Sequence, residues 1–312
     1  MMKIKVVIIS ITIIFISVLS GVHIFKHKSM TTAASNADLT FAVLGDIHGN
    51  TKNFETAIKD LHKINSNMNA IVLNGDTVDQ GLDKQYDSVK NVVNKNRNLL
   101  PKEIIKNMGN HEFFDYSKGT NSPEQVQGFL NKYLEFAGEE KVYHDTWVKG
   151  YHFISLGSED GNSETTDMIT AFVSNEQLKW FEEKLAESYE KEKPIFVFLH
   201  EPLDYGMRDG RGVKQSEQVR QILSKYPEAI LFSSHMHRDI NESSAALDQP
   251  FTTIQTGAID YTLIPDANSE GGRRREAYIK GLYVEVKGNK VVVKGRNIKD
   301  KQWIFTKEVA KG

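Results

Sequence analysis

Aspartate, asparagine and histidine recur directly after apolar runs in this sequence, and those side chains suit divalent metals in a site built from nitrogen and oxygen. Gly45-Asp-Ile-His48 follows the run ending at Leu44, Asn74-Gly-Asp-Thr-Val-Asp79 follows Ile71-Val-Leu73, and Gly109-Asn-His-Glu112 follows Ile104–Met108. His200 follows Ile195–Leu199, and His235 and His237 follow Ala229–Phe232. Beyond residue 28 only His62, His144 and His152 fall outside these positions. Each motif alone is an ordinary polar turn. Five of them at one structural position describe a metal centre gathered outside the carboxyl ends of strands, where open α/β sheets bind ligands. His235 and His237 stand two residues apart, a spacing that puts both imidazoles on one face of an extended chain.

The elements that must position these residues can be read from hydrophobic periodicity. Continuous apolar runs at 39–44, 70–73, 104–108, 151–156, 194–199 and 229–232 predict buried strands. Phe54, Ala57, Ile58, Leu61 and Ile64 fall at helical spacing, as do Val126, Phe129, Leu130, Tyr133 and Leu134. A third helix opens at Ser174-Asn-Glu-Gln177, a capping-box pattern, and carries Leu178, Phe181 and Leu185. Near the C-terminus, apolar stretches around Gly288-Asn289 predict a β-hairpin, and Trp303-Ile-Phe305 adds a strand, so residues 277–312 read as an antiparallel segment completing the fold.

Composition narrows the chemistry. The 312 residues include no cysteine, which removes disulfides, thiolate zinc sites and cysteine nucleophiles. Residues 1–30 form a separate piece. The run from Val6 to Phe25 has no polar face and is long enough to cross a bilayer, with lysines on either side. It is either a membrane anchor or a signal peptide. Small residues at Ala34-Ser-Asn-Ala37 offer a cleavage pattern, but they lie well beyond the apolar run, which favours the anchor. The expected arrangement is a single pass with the globular domain outside the cytoplasm, secreted if the leader is cleaved, and a polar linker over 31–38. Without its first 28 residues the chain loses four of its 39 basic residues and none of its 41 acidic ones, leaving 35 against 41. That balance disfavours nucleic acid as a partner, and with it a nuclease.

The ordered set Asp46-Ile-His48, Gly75-Asp-Thr-Val-Asp79, Gly109-Asn-His-Glu112, His200 and Ser234-His-Met-His237 resembles the calcineurin-like metallophosphoesterases, over residues 39 to 240. The resemblance implies an α/β fold, a four-layer α/β/β/α sandwich of two mixed β-sheets flanked by helices, over 39–312. It implies that Asp46, His48, Asp76 and His237 hold one divalent ion. Asp76 bridges to a second ion, held also by Asn110, His200 and His235. His111 is no ligand in this family; it faces substrate as general acid, and Asp79 buttresses it. The implied reaction is hydrolysis of a phosphomonoester or phosphodiester by a bridging hydroxide, with two metals stabilising phosphoryl charge. Manganese is favoured among manganese, iron, zinc and magnesium. Asp79, with no tyrosine in that part of the motif, argues against the purple acid phosphatase branch.

One position departs from the family pattern. Ser234 stands where glycine is usual, and if the backbone there needs a positive φ, serine costs on the order of 1 kcal/mol. Among weaker candidates, Arg208 and Arg211 in a glycine-rich loop after His200 could contact substrate, and the polar loop 157–167 could form a wall. Arg273-Arg-Arg275 reads more simply as a solvated basic turn, and Glu112 and Glu201 as supporting or surface groups beside the metal site. The rival class is a non-catalytic, surface-displayed binding protein on the same fold, which would be expected to have lost a bridging carboxylate or a histidine.

Overall fold

Runs such as Phe41-Ala-Val-Leu44 are apolar at every position because both faces of their strands are covered. The computed structural model describes residues 37–203, 212–247 and 250–309. The anchor or signal segment 1–30 and all but the last two residues of the linker lie outside them. Among the described residues no helix is long and apolar enough to cross a membrane.

Two six-stranded mixed sheets make up the frame. In the first, β1 (Leu39–Leu44), β2 (Ala70–Asn74) and β3 (Glu103–Asn107) run parallel. The second is built on β4 (His144–Val148), β5 (Tyr151–Ser155), β6 (Ile195–Phe198) and β7 (Ala229–Ser233), with β8 (Ala245–Ala246) and β9 (Thr252–Gln255) beyond β7. In it β5, β6, β7 and β9 are parallel, and β4 and β8 are antiparallel edges. A two-stranded ribbon, β10 (Thr262–Pro265) and β11 (Arg273–Glu276), stands apart from both sheets. The antiparallel strands β12 (Lys280–Lys287), β13 (Lys290–Asn297) and β14 (Gln302–Glu308) extend the first sheet from β1.

Alternation along the strands sorts their side chains into layers. Leu39, Phe41 and Val43 of β1 join Phe196, Phe198, Ile230 and Phe232 in one cluster between the sheets. Its centre is aromatic: the Phe41 ring lies 4.8 Å from Phe196 and 5.0 Å from Phe153, both edge-on. Ala42 and Leu44 point the other way, into a cluster with α1 (Thr51–Ile64), α2 (Asp83–Lys95) and α3 (Pro123–Ala137). Val197, Leu199 and Leu231 do the same on the second sheet, against α4 (Asn175–Ala186) and α5 (Ser216–Leu223). The order is helices, sheet, sheet, helices.

The C-terminal strands are tied to the first helix by charge as well as by sheet pairing. Arg296 of β13 donates from Nε and Nη2 to the two oxygens of Asp60 on α1, at 2.8 and 2.9 Å, with both side chains buried. One capping detail differs from the sequence pattern. Ser174 accepts from the Gln177 N–H, but the Gln177 side chain turns inward and pairs with the Gly157 backbone instead of closing the box. A complete capping box forms at Ser122 and Gln125, at the start of α3.

Candidate metal centre

The loops that follow β1 and β2 continue the parallel pairing of those strands for several residues. Asp46 N–H donates to the Gly75 carbonyl, and Ile47 and His48 N–H both donate to the Asp76 carbonyl, at 3.2, 2.8 and 2.9 Å. Two adjacent strand ends thus fix Asp46, His48 and Asp76 in one frame. The loop after β3 joins through side chains. His111 N–H donates to Asp76 Oδ1 at 2.9 Å, and the buried Glu112 carboxylate accepts from Asp76 N–H, Thr77 N–H and Gly109 N–H. From the second sheet, Ser234 N–H donates to the His200 carbonyl, and His235 N–H donates to Asp46 Oδ1.

The donor atoms then converge. His237 Nε2 lies 3.3 Å from Asp46 Oδ1 and 3.0 Å from His48 Nε2. His200 Nε2 is 3.1 Å and His48 Nε2 3.7 Å from the same oxygen, Asp76 Oδ2, so that carboxylate stands between two groups. Asn110 Oδ1 is 2.9 Å from His235 Nδ1. Among the described residues three clusters of potential ligands result: Asp46, His48 and His237; Asp76, His200 and His235; and His48, Asp79 and His111.

Several observations favour a metal at the first two clusters. An ion with bonds of roughly 2.1 Å spaces its ligands about 3.0–3.4 Å apart, near the separations found. Each of three imidazoles has its Nδ1 engaged by an oxygen: His200 by the Asn74 carbonyl at 2.8 Å, His237 by the Tyr261 carbonyl at 3.0 Å, and His48 by Asp79 Oδ1 at 3.5 Å. That arrangement fixes ring orientation and leaves Nε2 for a metal. Among the described residues, Asp46 Oδ2 is one of the buried polar atoms with no hydrogen-bond partner. Burial, helped by the neighbouring His200 charge, lowers His235 to about 3, and burial lowers His237 as well, which favours the neutral form that ligates a metal. Burial would raise Asp76, but the charges of His200 and His111 outweigh it and hold the carboxyl well below the usual range.

The backbone is strained where these side chains converge. Asp46, His48, Asp76, His235 and His237 have φ of 52, 49, 48, 68 and 48°, a left-handed conformation uncommon for residues with a side chain. Such strain concentrates where the surrounding structure over-determines a functional geometry. His235 and His237 therefore do not sit on one face of an extended strand. They lie in a left-handed loop past β7 and serve different clusters. Gly75, with φ of 81°, is required for a second reason, since a Cβ there would collide with the His200 ring.

The strain considered for Ser234 does not arise. Its own φ is not positive; the left-handed residues are the histidines on either side of Met236. The buried Ser234 hydroxyl accepts from Asn74 Nδ2 at 3.0 Å and shares a hydrogen bond with Thr256 Oγ1 at 2.7 Å, directly over Gly45. Ser234→Gly is accordingly expected to destabilise the protein by about 1–3 kcal/mol, the cost of leaving a buried polar group unpaired. A fall in the urea midpoint is the measurement; a glycine variant of equal or greater stability would contradict this role.

His111 belongs to the third cluster. Its Nδ1 is 3.0 Å from the Asp79 carbonyl and 3.4 Å from Asp79 Oδ1, which also accepts from the Tyr116 hydroxyl at 2.9 Å. Burial acts to lower the His111 pKa, but the Asp76 charge and the Asp79 hydrogen bonds prevail and raise it to about 9. Hydrogen bonds from His111, His48 and Tyr116 hold the Asp79 carboxyl below its ordinary range.

One neighbour, Tyr261, carried no signal that singled it out in the sequence. Tyr261 stacks on His237 at 4.1 Å, and the guanidinium of Arg275 sits 4.2 Å over the Tyr261 ring. Arg273, Arg274 and Arg275 are exposed on β11, where Arg274 pairs with Glu276 and Arg275 covers Tyr261. Glu112 and Glu201 are fully buried and are not surface groups; burial raises each to about 7. Arg208 and Arg211 lie outside the described residues.

Comparison with known proteins adds to this picture. A family model described as calcineurin-like phosphoesterase matches residues 39–239. No curated protein matches the chain. Among solved structures, the fold is similar to a dimetal phosphatase from Danio rerio (TM-score 0.62, 14% identity, covering 89% of this chain and 100% of that one). It is similar also to purple acid phosphatase PPD1 from yellow lupin seeds, Lupinus luteus (TM-score 0.60, 15% identity, 87% of this chain and 53% of that one). A third is GAP50, described as the anchor in the inner membrane complex of Plasmodium (TM-score 0.57, 15% identity, 88% and 89% covered). At these identities the likeness is one of fold.

Proposed function

Because the chain belongs to the calcineurin-like phosphoesterase family, we propose that it hydrolyses phosphate monoesters or diesters at a centre for two divalent ions. The observation that carries this reading is the convergence of imidazole and carboxylate donors from both sheets around Asp76, with the Nε2 atoms of His48 and His200 turned to one shared oxygen. Asp46, His48, Asp76 and His237 would hold one ion, and Asn110, His200 and His235 would hold a second together with Asp76. Ions bound there supply Lewis acidity toward the phosphoryl oxygens and a water of lowered pKa.

The chain's own groups do the rest. With only the Asp46 and Asp76 carboxylates among the seven ligands, the loaded centre keeps a positive charge and draws an anionic ester rather than a cationic one. Asp79 holds His111 by Nδ1, which leaves Nε2 to deliver a proton to the departing oxygen. Tyr116, donating to the same Asp79 oxygen, fixes that carboxylate from its exposed side. Residues 1–30 tether the domain outside the cytoplasm in this reading, which rests on the sequence of the apolar run alone.

A non-catalytic binding protein is the alternative, and one structural neighbour is described as an anchor. The full donor set speaks against it, since a protein that only binds does not need Asp76 shared between two clusters. The deciding experiment loads the purified protein with manganese and offers para-nitrophenyl phosphate and bis-para-nitrophenyl phosphate. Turnover that a chelator abolishes and added metal restores is the expected result. Full activity in metal-stripped protein contradicts the reading, and binding of phosphate compounds without turnover favours the alternative.

A further inference from the structure

Next to His111 lies a cavity of about 300 Å³ lined by Phe114, Tyr116, Lys118, Asn162 and Met168, among others. Its walls are continuous with the candidate catalytic groups. The Phe114 ring packs 4.4 Å from His111, the Tyr116 hydroxyl donates to Asp79 at 2.9 Å, and the Met168 carbonyl accepts from Asn110 Nδ2 at 2.9 Å. Of the four large apolar side chains exposed among the described residues, two line this one cavity: Tyr116 at 56% and Met168 at 48%. Apolar surface left exposed in a concavity beside a polar centre marks a place for a ligand.

The charges around the cavity are engaged with one another. Lys118 Nζ lies 3.3 Å from Asp115 Oδ2, and Asp115 Oδ1 accepts from the N–H and hydroxyl of Ser117. Asn162 Nδ2 donates to the Gly119 carbonyl at 3.2 Å. Beside these engaged groups, the exposed side chains of Tyr116 and Met168 offer an aromatic ring and a thioether, which suit a flat, uncharged group.

We infer that this cavity is the leaving-group subsite, and that the favoured substrates are phosphate esters of alcohols bearing an uncharged aromatic group, an aryl ring or a nucleobase. The inference rests on His111 as the acid. As the P–O bond breaks, the departing oxygen takes the His111 proton and water oxygen replaces it on phosphorus. The alcohol must therefore leave on the His111 side, where Phe114 and Tyr116 form the near wall of the cavity.

The test compares substrates matched in leaving-group basicity on the metal-loaded protein: phenethyl phosphate against ethyl phosphate, and adenosine monophosphate against ribose phosphorylated at the same primary hydroxyl. The aromatic member of at least one pair should have the higher kcat/KM by about tenfold, the scale of one stacking contact, and Met168→Ser should shrink that ratio to about twofold. Which pair responds identifies the source of the ring. Saturation-transfer NMR on the metal-free protein gives a readout apart from turnover: ring protons of the preferred ester should receive saturation, and lose it in Met168→Ser. Equal kcat/KM within both pairs, a preference that survives Met168→Ser, or no saturation of the ring overturns the subsite and leaves the phosphoesterase reading standing. No turnover of any ester overturns both.

Discussion

Asp76→Asn is expected to lower kcat/KM by at least about a thousandfold, equivalent to ~4 kcal/mol of transition-state stabilisation. The substitution is nearly isosteric, so Oδ1 can still accept the His111 N–H that it accepts at 2.9 Å. What it removes is the charge at Oδ2, which faces both His200 Nε2 and His48 Nε2. That same charge also raises the His111 pKa against the effect of burial. One lost charge thus weakens both ligand clusters and the proton-bearing imidazole. Steady-state kinetics with metal analysis on the same preparation checks it, and a variant that keeps two ions and more than a tenth of the activity contradicts the bridging role.

His111→Ala should cost about a hundred- to ten-thousandfold in kcat, the range for a general acid, while metal content stays unchanged. The contrast matters because His48, Asp79 and His111 also approach closely enough to hold an ion. If that third cluster were the metal site, the alanine variant would lose metal along with rate. A proton donor leaves a further signature. Esters of weakly basic leaving groups need less help, so the loss should be smaller for para-nitrophenyl phosphate than for an alkyl phosphate. Equal losses on both would remove His111 from the acid role.

The parallel strands were legible because strands covered on both faces read as unbroken apolar runs, as in β1, β2, β6 and β7. Strand ends followed directly, and with them the Asp, Asn and His residues that the structure brings together. Helix α2 was harder to see: it buries only Tyr86 and Val89 and opens at Leu82 without a side-chain cap. Helix α5 spans only Ser216–Leu223 and likewise lacks a side-chain cap at Gln215. Tyr116 and Tyr261 carried no motif. Their roles arise from contacts across the fold, with Asp79 and His237, that spacing along the chain does not encode. Backbone strain was not legible for a related reason. The sequence drew attention to Ser234 as an unusual residue, whereas the left-handed positions fall on Asp46, His48, Asp76, His235 and His237, whose side chains gave no sign of it.

Elemental analysis of the manganese-loaded, exhaustively dialysed protein tests the central claim most directly. Donors from five strand ends, gathered into two clusters that share Asp76, predict two divalent ions per chain in the native protein and at most one in Asp76→Asn. A native protein that retains no metal after loading would contradict the two-ion centre outright.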